Sequence, residues 1–157
     1  MESNSESLMI IGAITILAQI LGGRFSASGK AWYRTLNLPS ITPPDWVFGV
    51  VWTTIYICTA TCAYLVWNDE RFAAQRTWIM ILFAINIVLN VGWSYLFFQM
   101  HMIFGALILS IILEIITLVL FMQILQSSQR FSLLLLPYVL WGGFAIYLNY
   151  LVWILNR

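Results

Sequence analysis

Long apolar runs separated by short polar breaks organise the chain. A polar segment, Met1 to Ser7, carries Glu2 and Glu6, and the sixteen residues from Leu8 to Gly23 are then almost unbroken apolar sequence, stopped by Arg24. Four longer runs follow: Asp45 to Trp67, with no charge after its first residue; Thr77 to Met100; Ile103 to Gln123, interrupted only by Glu114; and Phe131 to Leu155. At about 1.5 Å rise per residue each of these four matches the hydrocarbon thickness of a bilayer. None shows the ten-residue in/out alternation of a barrel strand, and only a helix satisfies its own backbone in lipid. The pattern therefore predicts an all-α membrane protein, a five-transmembrane-helix bundle forming one domain over 1–157, with spans at about 8–26, 45–67, 77–100, 103–125 and 131–155. The first run is short for a span, but Arg24 can snorkel to the interface and let the helix continue. Ser26-Ala27-Ser28 resembles a cleavage site, yet no Lys or Arg precedes the run as a signal peptide requires, so the segment reads as a retained span.

Connections between spans 2–3, 3–4 and 4–5 are short, which predicts antiparallel, adjacent neighbours. The stretch 27–44 is different. It holds Pro39, Pro43 and Pro44, the single lysine Lys30 and the pair Trp32-Tyr33, a composition that predicts an ordered lid over one end of the bundle. Thr42 and Asp45 have capping-box spacing, with Pro43 at the first helical position of span 2. Arg71, Arg76 and Arg130 fall on the side of the N-terminus, and Arg24, Lys30, Arg34 and Arg157 on the other. The positive-inside rule thus leans toward a cytoplasmic lid and C-terminus.

Composition agrees with a membrane protein and narrows the chemistry. Apolar residues make up 62% of the chain and charged ones 8%, against about 25% charged in soluble domains. A formal charge of +1 with no basic cluster excludes nucleic acid as a partner. Cys58 and Cys62 share a helical face but project in parallel, so they read as small hydrophobes rather than a disulfide, and no further ligands surround them to make a metal site. His101, in the turn between spans 3 and 4, reads as a surface histidine rather than a metal ligand. Nothing resembles a hydrolytic triad or a nucleotide loop.

Polar and aromatic residues within the spans fall on stripes that mark inward faces. Span 2 offers Phe48, Trp52 and Tyr56; span 3 Asn86, Asn90, Trp93 and Phe97; span 4 Ser110, Glu114, Thr117 and Phe121; span 5 Tyr138, Trp141, Ala145, Asn149, Val152 and Asn156. Two readings of the asparagines stand: interhelical hydrogen-bond glue, or donors lining a cavity. Trp46, Trp67, Trp78 and Trp153 lie near span ends, where tryptophan anchors to the interface. Trp52, Trp93 and Trp141 lie deeper, and a cavity walled by such rings suits a planar, mostly apolar ligand. Glu114 is the one ionisable residue deep in a span, either a proton or ligand contact or a carboxylic acid bonded to a neighbouring helix.

Three motif blocks, in order, resemble a known family. They are Trp32-Tyr33-Arg34-Thr35-Leu36 with Leu38-Pro39, Pro43-Pro44-Asp45-Trp46-Val47-Phe48, Val51-Trp52 and Tyr56; then Asn90-Val91-Gly92-Trp93-Ser94-Tyr95-Leu96-Phe97-Phe98; then Pro137-Tyr138-Val139-Leu140-Trp141, Phe144-Ala145, Leu148-Asn149 and Leu155-Asn156. The chain is similar over essentially its whole length to the tryptophan-rich sensory protein / translocator protein family, also called the peripheral-type benzodiazepine receptors. The resemblance implies a five-helix homodimer whose pocket, under the first connection, binds porphyrins such as protoporphyrin IX and haem, or benzodiazepine-type ligands, as ligands rather than required cofactors. It further implies a role in tetrapyrrole transport or stress sensing. Carried over by motif position, the ligand-binding residues are Trp32, Trp52, Asn90, Trp93, Tyr138, Trp141, Ala145 and Asn149. If the chain promotes light-dependent porphyrin breakdown, as some members do, Trp52 and Trp141 are its catalytic pair. Two departures stand out. Between Tyr150 and Arg157 lie six residues, one more than the sterol-recognition pattern of animal members allows, which argues against a sterol as the physiological ligand. Gln99 stands after Phe97-Phe98 where many bacterial members have Gly. With no organelle-targeting segment, the resemblance implies a bacterial-type member in a cell membrane; span 3 lacks a clear small-xxx-small pair for a dimer surface, though Ala18 and Gly22 of span 1 form one.

Overall fold

A computed structural model describes residues 2–157, with side chains from Asn4 onward; Met1 and the side chain of Glu2, assigned above to the polar N-terminal segment, lie outside the described residues. The elements are α1 (Glu2–Ser28), α2 (Lys30–Tyr33), α3 (Asp45–Asn68), α4 (Arg76–Phe98), α5 (Ile103–Ser127), α6 (Gln129–Ser132) and α7 (Leu136–Leu155), with 3-10 turns at Glu70–Phe72 and Leu133–Leu135. No strand occurs among the described residues. Helices α1, α3, α4, α5 and α7 (with α6 leading into the last) are long and apolar enough to be spans 1 to 5. Their outward faces carry Ile14, Val88, Ile115 and Leu140, each half or more exposed. That surface suits lipid and would be costly against water.

The spans form a ring in the order 1-2-5-4-3. Spans 3 and 4, and 4 and 5, lie side by side, as their short connections require. Spans 2 and 3 depart from the adjacency expected of them. They meet only over a short stretch, because span 1 packs on both and the lead-in 129–135 of span 5 packs on span 2. Small residues let span 1 take that place. Ala18 and Gly22 are buried, and a Cβ on Gly22 would stand 3.5 Å from Ser94 Oγ and 3.8 Å from the Tyr56 hydroxyl. The small-residue stripe read above as a dimer motif is thus used inside the chain.

Span 2 begins at Asp45, where its apolar run begins, two residues after the Pro43 start that the capping-box spacing suggested. Pro44 is the N-cap, with no side-chain cap. Thr42 Oγ1 instead donates to the Pro39 carbonyl (2.7 Å), and the Asp45 carboxylate binds Lys30 Nζ at 2.7 Å. An ion pair and a proline turn have replaced the capping box. Span 1 continues past the expected 26 to Ser28.

The end bearing the N-terminus is closed. Cys62, Val66, Phe72, Ile79, Leu120, Ile124 and Leu135 are fully buried together there, with Phe72 inserted from the 2–3 connection and stacked on Phe131 at 5.9 Å. Both cysteines are free thiols. The same connection is fastened by Asp69, whose carboxylate accepts from the Arg71 backbone N–H (2.9 Å) and from its guanidinium (2.7 Å). These hydrogen bonds and the Arg71 charge hold the Asp69 carboxyl down at about 2. A carboxylate with a depressed folded-state pKa stabilises above its unfolded value and loses that contribution as pH falls through the folded one. The thermal midpoint of wild type should therefore exceed that of Asp69→Ala at neutral pH. The gap should close as pH falls from about 4 toward 2, and thermal unfolding in detergent across that window checks it.

Candidate functional site

The opposite end of the bundle is hollow. A cavity of about 500 Å³ lies between all five spans, beneath the 29–44 connection. Its walls follow from helical spacing. Phe48, Trp52 and Tyr56 recur every four residues on span 2, and Tyr138, Trp141, Ala145 and Asn149 recur at three and four on span 5. Both sets therefore present one face. Span 3 adds Asn90, Trp93 and Phe97, span 4 adds Ser110 and Glu114, and span 1 adds Gly22, Gly23 and Ser26. Large rings opposite glycines hold the helices close on one side and leave space on the other. The rings brace one another edge to face: Trp52 against Tyr138 (5.9 Å, 78°) and Trp141 against Phe48 (5.6 Å, 77°).

The asparagines act as glue on this wall. Tyr56 donates its hydroxyl to Asn90 Oδ1 (2.6 Å), and Asn90 Nδ2 donates to the Tyr138 hydroxyl (3.0 Å), joining spans 2, 3 and 5. Trp93 Nε1 donates to Asn149 Oδ1 (3.1 Å), and Asn149 Nδ2 donates to the Ile103 carbonyl (3.2 Å). Deeper still, Asn86 Nδ2 donates to Thr117 Oγ1 (2.9 Å). Buried amides are satisfied because an unpaired one in hydrocarbon is costly. What remains for a guest is therefore mostly aromatic and apolar surface with a few polar groups, the Ser26 and Ser94 hydroxyls and the Glu114 carboxyl among them.

The roof is ordered. Trp32 stacks on His101 (4.1 Å, 15°) and meets Phe97 edge-on (5.5 Å), while Tyr33 and Leu36 pack on the same cluster. Asn156 clamps the far end of the roof: its Oδ1 accepts from the Asn37 N–H (2.9 Å) and its Nδ2 donates to the Asn37 carbonyl (3.0 Å). The Lys30–Asp45 pair closes the near side. Burial, and then the neighbouring Asp45 charge, push the Tyr33 phenol up, so it stays neutral.

Seven of the eight residues named from motif position, namely Trp52, Asn90, Trp93, Tyr138, Trp141, Ala145 and Asn149, line this cavity. Trp32 does not. Its ring lies in the roof with His101 and Phe97, one layer above the hollow. His101 is exposed as expected, but it adopts φ 55° and supports Trp32. At the 3–4 turn the left-handed residue is thus His101, whereas Gln99 is right-handed and its Nε2 donates to Ser28 Oγ (2.7 Å) and the Phe25 carbonyl (3.1 Å). Trp46, Trp67 and Trp78 are exposed at span ends and Trp153 is half-buried. The sequence reading missed the span 1 wall and the Lys30–Asp45 closure. Gly22-Gly23 was a signal for the first. The second had none, since Lys30 and Asp45 are fifteen positions apart.

Comparison with known proteins adds to this geometry. The TspO/MBR family model matches residues 10–154. The tryptophan-rich protein TspO of Chlorobaculum tepidum is 36% identical over 136 residues, 86% of each chain. That of Archaeoglobus fulgidus is 32% identical over 150 residues, 94% of this chain and 96% of its own. The translocator protein of Homo sapiens is 32% identical over 139 residues, 87% of this chain and 82% of its own.

Proposed function

The chain belongs to the TspO/MBR family, and on that footing we propose that it binds protoporphyrin IX, haem-related tetrapyrroles and other planar apolar ligands within the membrane, for transport or stress sensing. The observation that carries this reading is the convergence of Trp52, Trp93, Trp141 and Tyr138 on one cavity of about 500 Å³. That volume lies within the roughly 300–1,000 Å³ typical of small-molecule sites, which are mostly apolar with few polar groups. A flat macrocycle offers two large faces to rings and asks little of the amides, and the amides here are already engaged. The test is a titration of the detergent-solubilised protein with protoporphyrin IX, read by tryptophan quenching and by the porphyrin's own absorption. Saturation at a fixed stoichiometry supports the proposal, and a linear, non-saturating signal rejects it.

A second reading is favoured by one further contact. Trp52 borders both the cavity and the Tyr138 ring, so a photo-excited guest would lie against electron-rich rings, with dioxygen from solution required as the oxidant. On this reading the chain degrades porphyrin in light, with Trp52 and Trp141 as redox partners. Under illumination, wild type should convert more than one porphyrin per protein to a defined product, and the Trp52→Phe/Trp141→Phe variant should not make it. Equal loss of porphyrin in empty micelles eliminates this reading.

A further inference from the structure

The polar groups around the cavity divide into those satisfied within the bundle and those left over. Tyr56, Asn90, Trp93 and Asn149 are engaged with one another or with the backbone. Others on the wall, the Ser26 and Ser94 hydroxyls among them, have no partner among the described residues. The one carboxyl left over is that of half-buried Glu114, with which nothing hydrogen-bonds or ion-pairs among the described residues. Glu114 has a made-to-measure place. Its carboxyl lies in a notch on span 5 that exists only because residue 142 is glycine, where a Cβ would collide with Oε2. Glu114 and the Gly142 notch both border the cavity, so the carboxyl is seated on its wall.

An ionisable side chain at this depth is expensive unless it is paired or wet. Among the described residues no cation pairs with it. Lys30, the lysine on the cavity's boundary, sits at the mouth and is held by Asp45 at 2.7 Å. A carboxyl without an internal partner, facing a hollow walled by indole and phenol rings, is complementary to a guest that brings its own positive or N–H-bearing group on a flat aromatic frame. Ring faces also favour such cations.

We propose that Glu114, seated in the Gly142 notch on the cavity wall, is the acceptor of a polar subsite that selects flat aromatic cations over uncharged molecules of the same shape. The proposal rests on the cavity being a ligand site and adds to it the chemistry of one end. It also orients an anionic guest: carboxylates are repelled from Glu114 and directed away from it, toward the mouth.

Two probes of nearly the same shape test it, 9-aminoacridine, a cation at neutral pH, and 9-methylacridine, which is uncharged and has no donor. Each is titrated against the full-length protein in non-ionic detergent, with empty micelles as the blank. Charge-assisted hydrogen bonds are about twice as strong as neutral ones, so wild type should bind 9-aminoacridine roughly ten-fold or more tighter than 9-methylacridine. Glu114→Leu should bring the ratio of the two Kd values close to one, and Glu114→Gln, which keeps an acceptor but not the charge, should fall between. A ratio that is the same in wild type and both variants overturns the subsite while leaving the cavity reading intact. Failure of both acridines and of protoporphyrin IX to saturate wild type overturns the cavity reading and the subsite with it.

Discussion

Replacing Trp52 and Trp141 together by alanine should weaken protoporphyrin IX binding by at least ten-fold while leaving the bundle folded. Both indoles are half-buried on the cavity wall rather than in a closed core, so truncation enlarges an existing hollow. Aromatic stacking contributes about 0.5–1.5 kcal/mol per pair beyond simple area. Losing two such contacts is then worth about 1–3 kcal/mol, or roughly five- to hundred-fold in Kd, before the lost apolar contact is counted. Each single variant should show a smaller part of this. The two effects need not add, since Trp52 also braces Tyr138 and Trp141 braces Phe48. The porphyrin's own absorption is the proper readout, because the substitutions remove part of the tryptophan signal. A double variant with wild-type affinity removes these two rings from the site. Trp46→Ala makes a matched control, since that ring is exposed at the start of span 2 and absent from the cavity.

The spans were legible because hydrocarbon imposes one rule on every segment that crosses it: enough apolar residues in a row and a self-satisfied backbone. Their ring order was not. A short connection fixes which ends are near, as at 99–102, but it does not decide which flanks touch. The 69–75 connection keeps the ends of spans 2 and 3 together while span 1, through Ala18 and Gly22, takes up the flanks. The apparent capping box at Thr42 and Asp45 shows the same limit. Spacing alone admits a cap, and a lysine fifteen residues upstream takes the carboxylate instead.

Much of the cavity wall was legible as well, because a stripe that is both aromatic and polar has no reason to face acyl chains. Two things on it were not legible. Whether an asparagine is free or engaged depends on what stands across from it, and Asn90 and Asn149 both find partners on other spans. Trp32 sits in a motif shared with the ligand pocket of a family, but a motif position fixes a residue's neighbourhood and not the layer it occupies. Here stacking on His101 and Phe97 places it in the roof. Glu114 stood out at once as the single ionisable residue deep in a span, whereas the glycine notch that seats it is a relation between spans 4 and 5 that only the packed structure supplies.

The junction between span 1 and the roof gives the second large effect, at Gly29. Its backbone N–H donates to the Phe25 carbonyl (3.0 Å) and its carbonyl accepts from the Tyr33 N–H (3.0 Å), so it carries the chain from α1 into α2 without a break. No positive φ is required there. Glycine is needed for space: a Cβ would stand 2.5 Å from the Phe98 carbonyl oxygen and 2.7 Å from Phe98 Cβ. The obstacle is the backbone at the end of span 3, which cannot swing aside as a side chain would. Overpacking of this kind costs about 1–3 kcal/mol when the surroundings can shift, and a branched substituent meets more of it than a methyl does. Gly29→Val should therefore push α2 off Phe97 and Phe98, and with it the Trp32–His101 stack and the Lys30–Asp45 closure. Hydrogen exchange over 29–37 should rise by an order of magnitude or more if the roof opens with a free-energy loss of about 1.4 kcal/mol or greater. Porphyrin should dissociate faster, and the 76–98 helix should stay protected because its own hydrogen bonds are untouched. Protection of 29–37 equal to wild type would show that span 3 yields to the new side chain, and that the close approach at Gly29 does not hold the roof in place.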